Sequence, residues 1–166
     1  MTVSMFPDDV SASARDVLAA CAAAGLRVAV AESCTGGLLA ACLTAIPGSS
    51  LVVERGFVTY TNAAKSELLG VPEALFSSVG AVSEEVARAM AAGALAHSAA
   101  DVSAAVTGIA GPGGATPDKP VGLVHVAAMR AGGAALHERH VFTGDRDAVR
   151  LEAVRAALDL LKHLAD

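Results

Sequence analysis

The stretch LRVAVAESCTGG, residues 26–37, decides how the rest of the chain is read. Its first half, Leu26–Ala31, is a short apolar run after Gly25, the length of a buried strand rather than a helix. Its second half is a polar glycine-rich turn, and Gly36–Ala45 beyond it has a helical pattern that stops before Pro47-Gly48. Outward from this unit the alternation continues. A helix over about residues 8–24 precedes it, with Leu18 and Ala22 on one face. Leu51–Tyr60 reads as a second strand, and a short helix starts near Asn62. Another helix spans Ser83–Ser98, with Ser83 as N-cap and Glu84 and Glu85 in its first turn. Val102–Thr107 is a third strand that runs into GIAGPGG. Val121–Met129 and Ala135–Phe142 form a hairpin through Gly132-Gly133. A last helix over Asp147–Leu164 carries the stripe Leu151, Val154, Leu158 and Leu161. Strands alternating with helices and ending in a hairpin predict a three-layer α/β/α sandwich with a mixed parallel and antiparallel sheet. No linker or repeat divides residues 1–166, so one domain is expected.

Composition narrows the function classes. A hydrophobic fraction of 54% against 17% charged residues excludes a disordered chain. The net charge of −5, with no run of Lys or Arg, argues against nucleic acid or an anionic membrane surface as partner. The odd set Cys21, Cys34 and Cys42 has no framework spacing and fits reduced thiols in the cytoplasm. No signal peptide and no membrane span are read: the Ala-rich segment 87–100 is broken by Arg88, Gly93, His97 and Ser98. An Ala/Val-rich surface would suit a homodimer.

Four elements carry candidate chemistry. In AESCTGG, residues 31–37, Ser33 sits where a strand opens into a helix, so backbone amides and a positive helix end converge on it. Such a serine can act as nucleophile, with the turn amides as oxyanion donors and Gly36 and Gly37 allowing close approach. An ordinary helix cap is the competing reading. In YTNAAK, residues 60–65, Asn62 as N-cap would put Lys65 in the first helical turn. The positive helix end and partial burial there would lower its pKa and let it serve as a base toward a hydroxyl; a solvated surface lysine is the alternative. Tyr60 either relays a proton or fills a strand end. TGIAGPGG, residues 107–114, places a second glycine-rich turn at a strand end, where open α/β sheets bind ligands. In GDRDAVR, residues 144–150, Arg146 and Arg150 share a helix face near its N-terminus, which suits a phosphate unless Asp145 and Asp147 already balance them. Cys34 has no adjacent His and reads as a buried thiol. His137 and His140 point to opposite faces of a strand, and no cluster has zinc-like spacing, so no metal is expected.

Together the stretches VAVAESCTGGLLA, PGSS, YTNAAKSELLGV, VGAVSEE, VTGIAGPGG, KPVGLVHVA and FTGDRDAVR, in this order over residues 28–150, resemble the CinA C-terminal domain family, the nicotinamide mononucleotide deamidases. The resemblance implies hydrolysis of the carboxamide of nicotinamide mononucleotide to nicotinic acid mononucleotide and ammonia, without metal or other cofactor. Ser33, Lys65 and Tyr60 fall on the motif serine, lysine and tyrosine. Lys65 would take the proton of Ser33, and Ser33 would attack the carboxamide carbon. The amides of Cys34, Thr35, Gly36 and Gly37 would hold the oxyanion. Thr107, Gly108, Gly111 and Gly113 would line the nucleotide pocket, and Arg146, with Arg150, would hold the 5′-phosphate. His125 stands where family members often carry an aromatic residue. Longer members carry a further N-terminal domain related to molybdopterin-binding proteins, for which these 166 residues leave no room. The rival reading is a catalytically idle nucleotide-binding or protein-interaction module linked to competence or the DNA damage response.

Overall fold

The computed structural model describes residues 4–166. The order is α1 (Asp8–Ala24), β1 (Val28–Glu32), α2 (Leu38–Thr44), a 3₁₀ turn (Ser49–Leu51), β2 (Val53–Val58), α3 (Asn62–Leu69), α4 (Glu73–Ser78), α5 (Glu84–Ala96), β3 (Val102–Gly108), β4 (Leu123–Arg130), β5 (Ala135–Val141) and α6 (Arg146–Ala165). The five strands form one sheet in the order β2-β1-β3-β4-β5. β1 is parallel to both β2 and β3, and β4 is antiparallel to both β3 and β5.

The pleat sorts side chains between two cores. Val28 and Val30 of β1, with Val102, Ala104 and Val106 of β3, meet α1, α2 and α6 on one face. Ala29, Ala31 and Ala105 meet α5 and the end of α3 on the other. Small residues dominate the second face, so α5 lies close to the sheet, and Ser103 Oγ donates to the Ala91 carbonyl of α5 at 2.8 Å. Gly93 brings α3 against α5: a Cβ there would run into the Leu69 carbonyl. That contact fixes the helix that carries Lys65.

The expected three-layer mixed sandwich is the fold found, with element ends that differ. β1 starts and ends later than Leu26–Ala31, because Glu32 still pairs in the sheet. The helix read from Gly36 begins at Leu38: Gly37 adopts φ 101°, a left-handed conformation that ends the turn before the helix starts. Leu51 belongs to the 3₁₀ turn, and β2 begins at Val53. Thr61, not Asn62, caps α3, its side chain accepting from the Ala64 amide at 3.1 Å. Asp145 caps α6, which starts at Arg146. Ser83 caps α5 as expected. α4 was not expected, and it has no buried residue to announce it.

Candidate active site

The chain leaves β1 for α2 on one face and, after α5 on the other, returns beside β1 as β3. The carboxyl ends of β1, β2 and β3 therefore lie together at the point where the winding reverses, the usual ligand crevice of an open α/β sheet. Ser33 is the first residue beyond β1, and its amide donates to the Val106 carbonyl of β3 at 3.0 Å. The Thr59 amide, just beyond β2, donates to the Glu32 carbonyl at 2.8 Å. The serine is thus tied to both neighbouring strands through its own backbone and that of Glu32.

Lys65 enters this frame from α3. Its Nζ lies 2.9 Å from Ser33 Oγ and donates to the carbonyls of Thr59 at 3.0 Å and Tyr60 at 3.3 Å. The residue is 1% exposed. Burial lowers its pKa below the ordinary lysine value. Among the described residues no carboxylate pairs with it. Cys34, the alternative nucleophile, is buried as well, and desolvation pushes its thiol up to about 12. A thiol held there is protonated at neutral pH.

A cavity of about 270 Å³ opens over the dyad, close to the lower end of small-ligand sites at ~300 Å³. Ser33, Cys34, Lys65, Thr107, Gly108, Gly111 and Gly113 line it, with Tyr60 and Arg146 at its rim. Thr107 Oγ1 donates to the Ala81 carbonyl at 2.8 Å, which fastens the opposite wall. Arg146 donates to the Gly111 carbonyl at 2.7 Å and to the Tyr60 hydroxyl at 2.9 Å. The Tyr60 hydroxyl therefore faces the arginine, and only its main-chain oxygen meets Lys65. Thr35, Gly36, Gly37 and Arg150 lie outside the lining.

Residues 10–165 match the CinA C-terminal domain family. The chain belongs to this family. It is 54% identical over 138 residues to a protein of Pseudomonas putida named nicotinamide-nucleotide amidohydrolase PncC, covering 83% of this chain and 86% of that one. It is 50% identical over 163 residues to a CinA-like protein of Anaeromyxobacter, covering 95% of this chain but 40% of that one. It thus spans about two fifths of the length of such CinA-like relatives. Among solved structures, the competence/damage inducible protein CihA from Agrobacterium tumefaciens superposes with a TM-score of 0.97 at 49% identity, covering 99% of this chain and 100% of that one.

Within this CinA domain several features escape a linear reading. Glu32, fully buried, turns its carboxylate onto the start of α2 and accepts from the amides of Gly37, Leu39 and Ala40 at 3.1, 3.0 and 2.8 Å. It was not singled out, because a Glu at the end of an apolar strand looks like the exit to solvent. The expected four-amide oxyanion donor set shrinks accordingly: Gly37 donates to Glu32, and Gly36 donates to the Ser33 carbonyl at 3.0 Å. Among the described residues the amides of Cys34 and Thr35 have no acceptor. Ala81 and Val82, between α4 and α5, also wall the cavity. Lys119 holds that loop by donating to the Val79 and Val82 carbonyls. The aromatic position taken by His125 makes a stacked pair with His137, Nδ1 to Nε2 at 2.9 Å, and burial pulls the His125 pKa down to about 4. His137 and His140 do lie on opposite faces of β5, His140 against Glu138 and Phe142. Among the described residues no group of three His, Cys, Asp or Glu is arranged to hold a metal, and no helix is long and apolar enough to cross a membrane.

Proposed function

We propose that this protein is a Ser/Lys amidohydrolase that converts nicotinamide mononucleotide to nicotinic acid mononucleotide and ammonia. The observation that carries the reading is the buried contact of 2.9 Å between Lys65 Nζ and Ser33 Oγ at the floor of the cavity. A neutral amine has two N–H donors and one lone pair. Two carbonyls, Thr59 and Tyr60, meet the donors, and the lone pair is left for the Ser33 hydroxyl. An ammonium could donate to the same three oxygens, so it is the burial of Lys65, without a carboxylate beside it, that favours the uncharged amine base catalysis needs.

In this reading Lys65 takes the Ser33 proton as Oγ attacks the carboxamide carbon. The negative charge that develops on the carboxamide oxygen is held by the Cys34 amide, at the wall of the cavity. The protonated Lys65 then delivers its proton to the departing nitrogen, ammonia leaves, and water releases nicotinic acid mononucleotide from Ser33 by the reverse sequence. Arg146, at the rim, receives the 5′-phosphate and so sets the depth at which the carboxamide meets Oγ. Tyr60 steers that guanidinium rather than relaying the proton. The Pseudomonas relative supports the substrate, since that protein is named a nicotinamide-nucleotide amidohydrolase. Three buried free thiols suit a reducing, cytoplasmic setting.

The test is ammonia release from nicotinamide mononucleotide by purified protein. The wild type should turn over. Ser33→Ala should fold, bind nucleotide and lose turnover by on the order of 10⁴ or more. An idle wild type would leave a binding module. A Ser33→Ala enzyme that still releases ammonia would remove Ser33 from the chemistry.

A further inference from the structure

Arg150 shares a helix face with Arg146, and its sequence position suits a phosphate. Its contacts are of a different kind. Nε donates to the Cys34 carbonyl at 3.2 Å, Nη2 donates to the Thr35 carbonyl at 3.0 Å, and Nη1 lies 3.7 Å from the Asp147 carboxylate. Every nitrogen of the guanidinium is thus engaged away from the cavity, two of them on the turn that follows Ser33. The Gly36 amide closes that turn onto the Ser33 carbonyl at 3.0 Å, so the Cys34–Thr35 peptide is its central unit.

The central peptide of such a turn is the one most free to rotate, because no hydrogen bond within the turn holds it. A peptide unit is planar. A cation that grips the Cys34 carbonyl therefore fixes the plane of this peptide, and with it the course of the turn from Ser33 through Cys34. We propose, on the Ser/Lys reading above, that Arg150 is a positioning residue for the oxyanion site: by clamping the Cys34–Thr35 peptide it holds the turn that carries Cys34, the turn residue bordering the cavity, so that the Cys34 amide meets the developing oxyanion, and it takes no part in binding phosphate. The guanidinium suits this task better than an ammonium, since its planar fork reaches two successive carbonyls at once.

Loss of a positioned donor lowers the rate of the chemical step and leaves ground-state binding in place. Arg150→Ala should lower kcat on the order of 10², the size of a lost oxyanion donor, with KM for nicotinamide mononucleotide within about twofold of wild type. Its preference for the mononucleotide over the dephosphorylated riboside should be unchanged. Added guanidinium ion should restore part of kcat without altering the melting temperature, which a role in stability alone would not produce. Arg150→Lys keeps the charge but offers one contact in place of two, and should fall between wild type and alanine; it also serves if Arg150→Ala does not fold. A second readout does not depend on the natural substrate. A fluorophosphonate probe labels an activated serine when Ser33 Oγ displaces fluoride from phosphorus and Lys65 takes the proton, with negative charge building on the phosphoryl oxygen. Labelling should slow in Arg150→Ala in parallel with kcat. If the wild type labels but does not hydrolyse the mononucleotide, the deamidase reading fails and the labelling rates still judge Arg150. A raised KM with loss of the phosphate preference, or labelling at the wild-type rate, overturns the proposal.

Discussion

Lysine is the side chain least suited to a dry interior, and Lys65 has been carried into one with three oxygen atoms as its whole polar company. That composition gives the base its signature in pH. Burial favours the neutral amine, so the native pKa lies below the ordinary lysine value. Turnover should rise with pH along a limb that follows this group, and Lys65→Arg should be nearly as inactive as Lys65→Ala, because guanidinium keeps its proton. An active Lys65→Arg enzyme in a steady-state assay would mean that charge, not base catalysis, is what the position supplies. The sign for stability follows from the same shift. Between the native pKa and the unfolded value near ~10.4, the unfolded chain binds a proton that the native state refuses, so stability rises with pH. Urea midpoints across that window should climb, and the part of the slope owed to this residue should vanish in Lys65→Met. At this scale the sequence points to Ser33 and Lys65, which the fold brings into contact, and is silent on what supports them. Ser33 and Lys65 carry unusual chemistry at loop ends, whereas Glu32 and Arg150 matter through what they touch, and no periodicity records the bonds of Arg150 to a turn 115 and 116 positions away.

Elements have to hold these side chains to within tenths of an ångström, and here the margin rests on absent atoms. α3, which carries Lys65, lies against α5 at Gly93, where a Cβ would meet the Leu69 carbonyl. In a helix interior Gly→Ala ordinarily adds up to ~1 kcal/mol through propensity. At position 93 overpacking of ~1–3 kcal/mol should outweigh that gain. Gly93→Ala should therefore lower the melting temperature and also the activity, since α3 must shift and take Nζ with it; calorimetry and turnover on the same preparation check both. An unchanged or raised melting temperature would show that the two helices part at little cost. Of the helices, α1 and α6 are the ones whose expected spans lie closest to their true ends, because their spacing repeats over several turns. The short pieces around the cavity were read less well. The turn before α2 and the caps of α3 and α6 depend on which side chain reaches a backbone amide, and α4 is a six-residue helix whose Leu75 and Phe76 are only partly buried, too short to show a period.

Across the whole molecule the cavity is assembled from distant chain segments: the turn after β1, the end of β2 with α3, the loop before α5, the turn after β3, and the first turn of α6. Arg146 joins three of these through its bonds to Gly111 and Tyr60, which are 35 and 86 positions away. Arg146→Ala should raise KM for the mononucleotide by the equivalent of ~1.5–3 kcal/mol, as for a lost charge-assisted contact. It should also narrow the preference for the mononucleotide over the riboside, measured as a ratio of kcat/KM. An unaltered ratio would place the phosphate elsewhere, at the turn after β3. Strand alternation foretold the layers and the hairpin. The strand order, which brings Ser33 and Lys65 into contact, is a long-range outcome that local patterns do not encode.

That α6 supplies the last wall has a consequence for the life of the protein. Ser33, Lys65 and the turn after β3 are all synthesised before residue 146, yet both guanidinium groups arrive only with the final helix. A nascent or clipped copy that lacks this helix would have neither the rim arginine nor the clamp on the turn, and the sheet face bearing Val28, Val30, Ala104 and Val106 would lose part of its cover. Fragments ending before Gly144 should accordingly be inert in the ammonia assay, and a separately made α6 peptide that docks on them should switch hydrolysis on. Helix α6 would then act as an arming pin, confining hydrolysis of a nucleotide to copies in which it has docked.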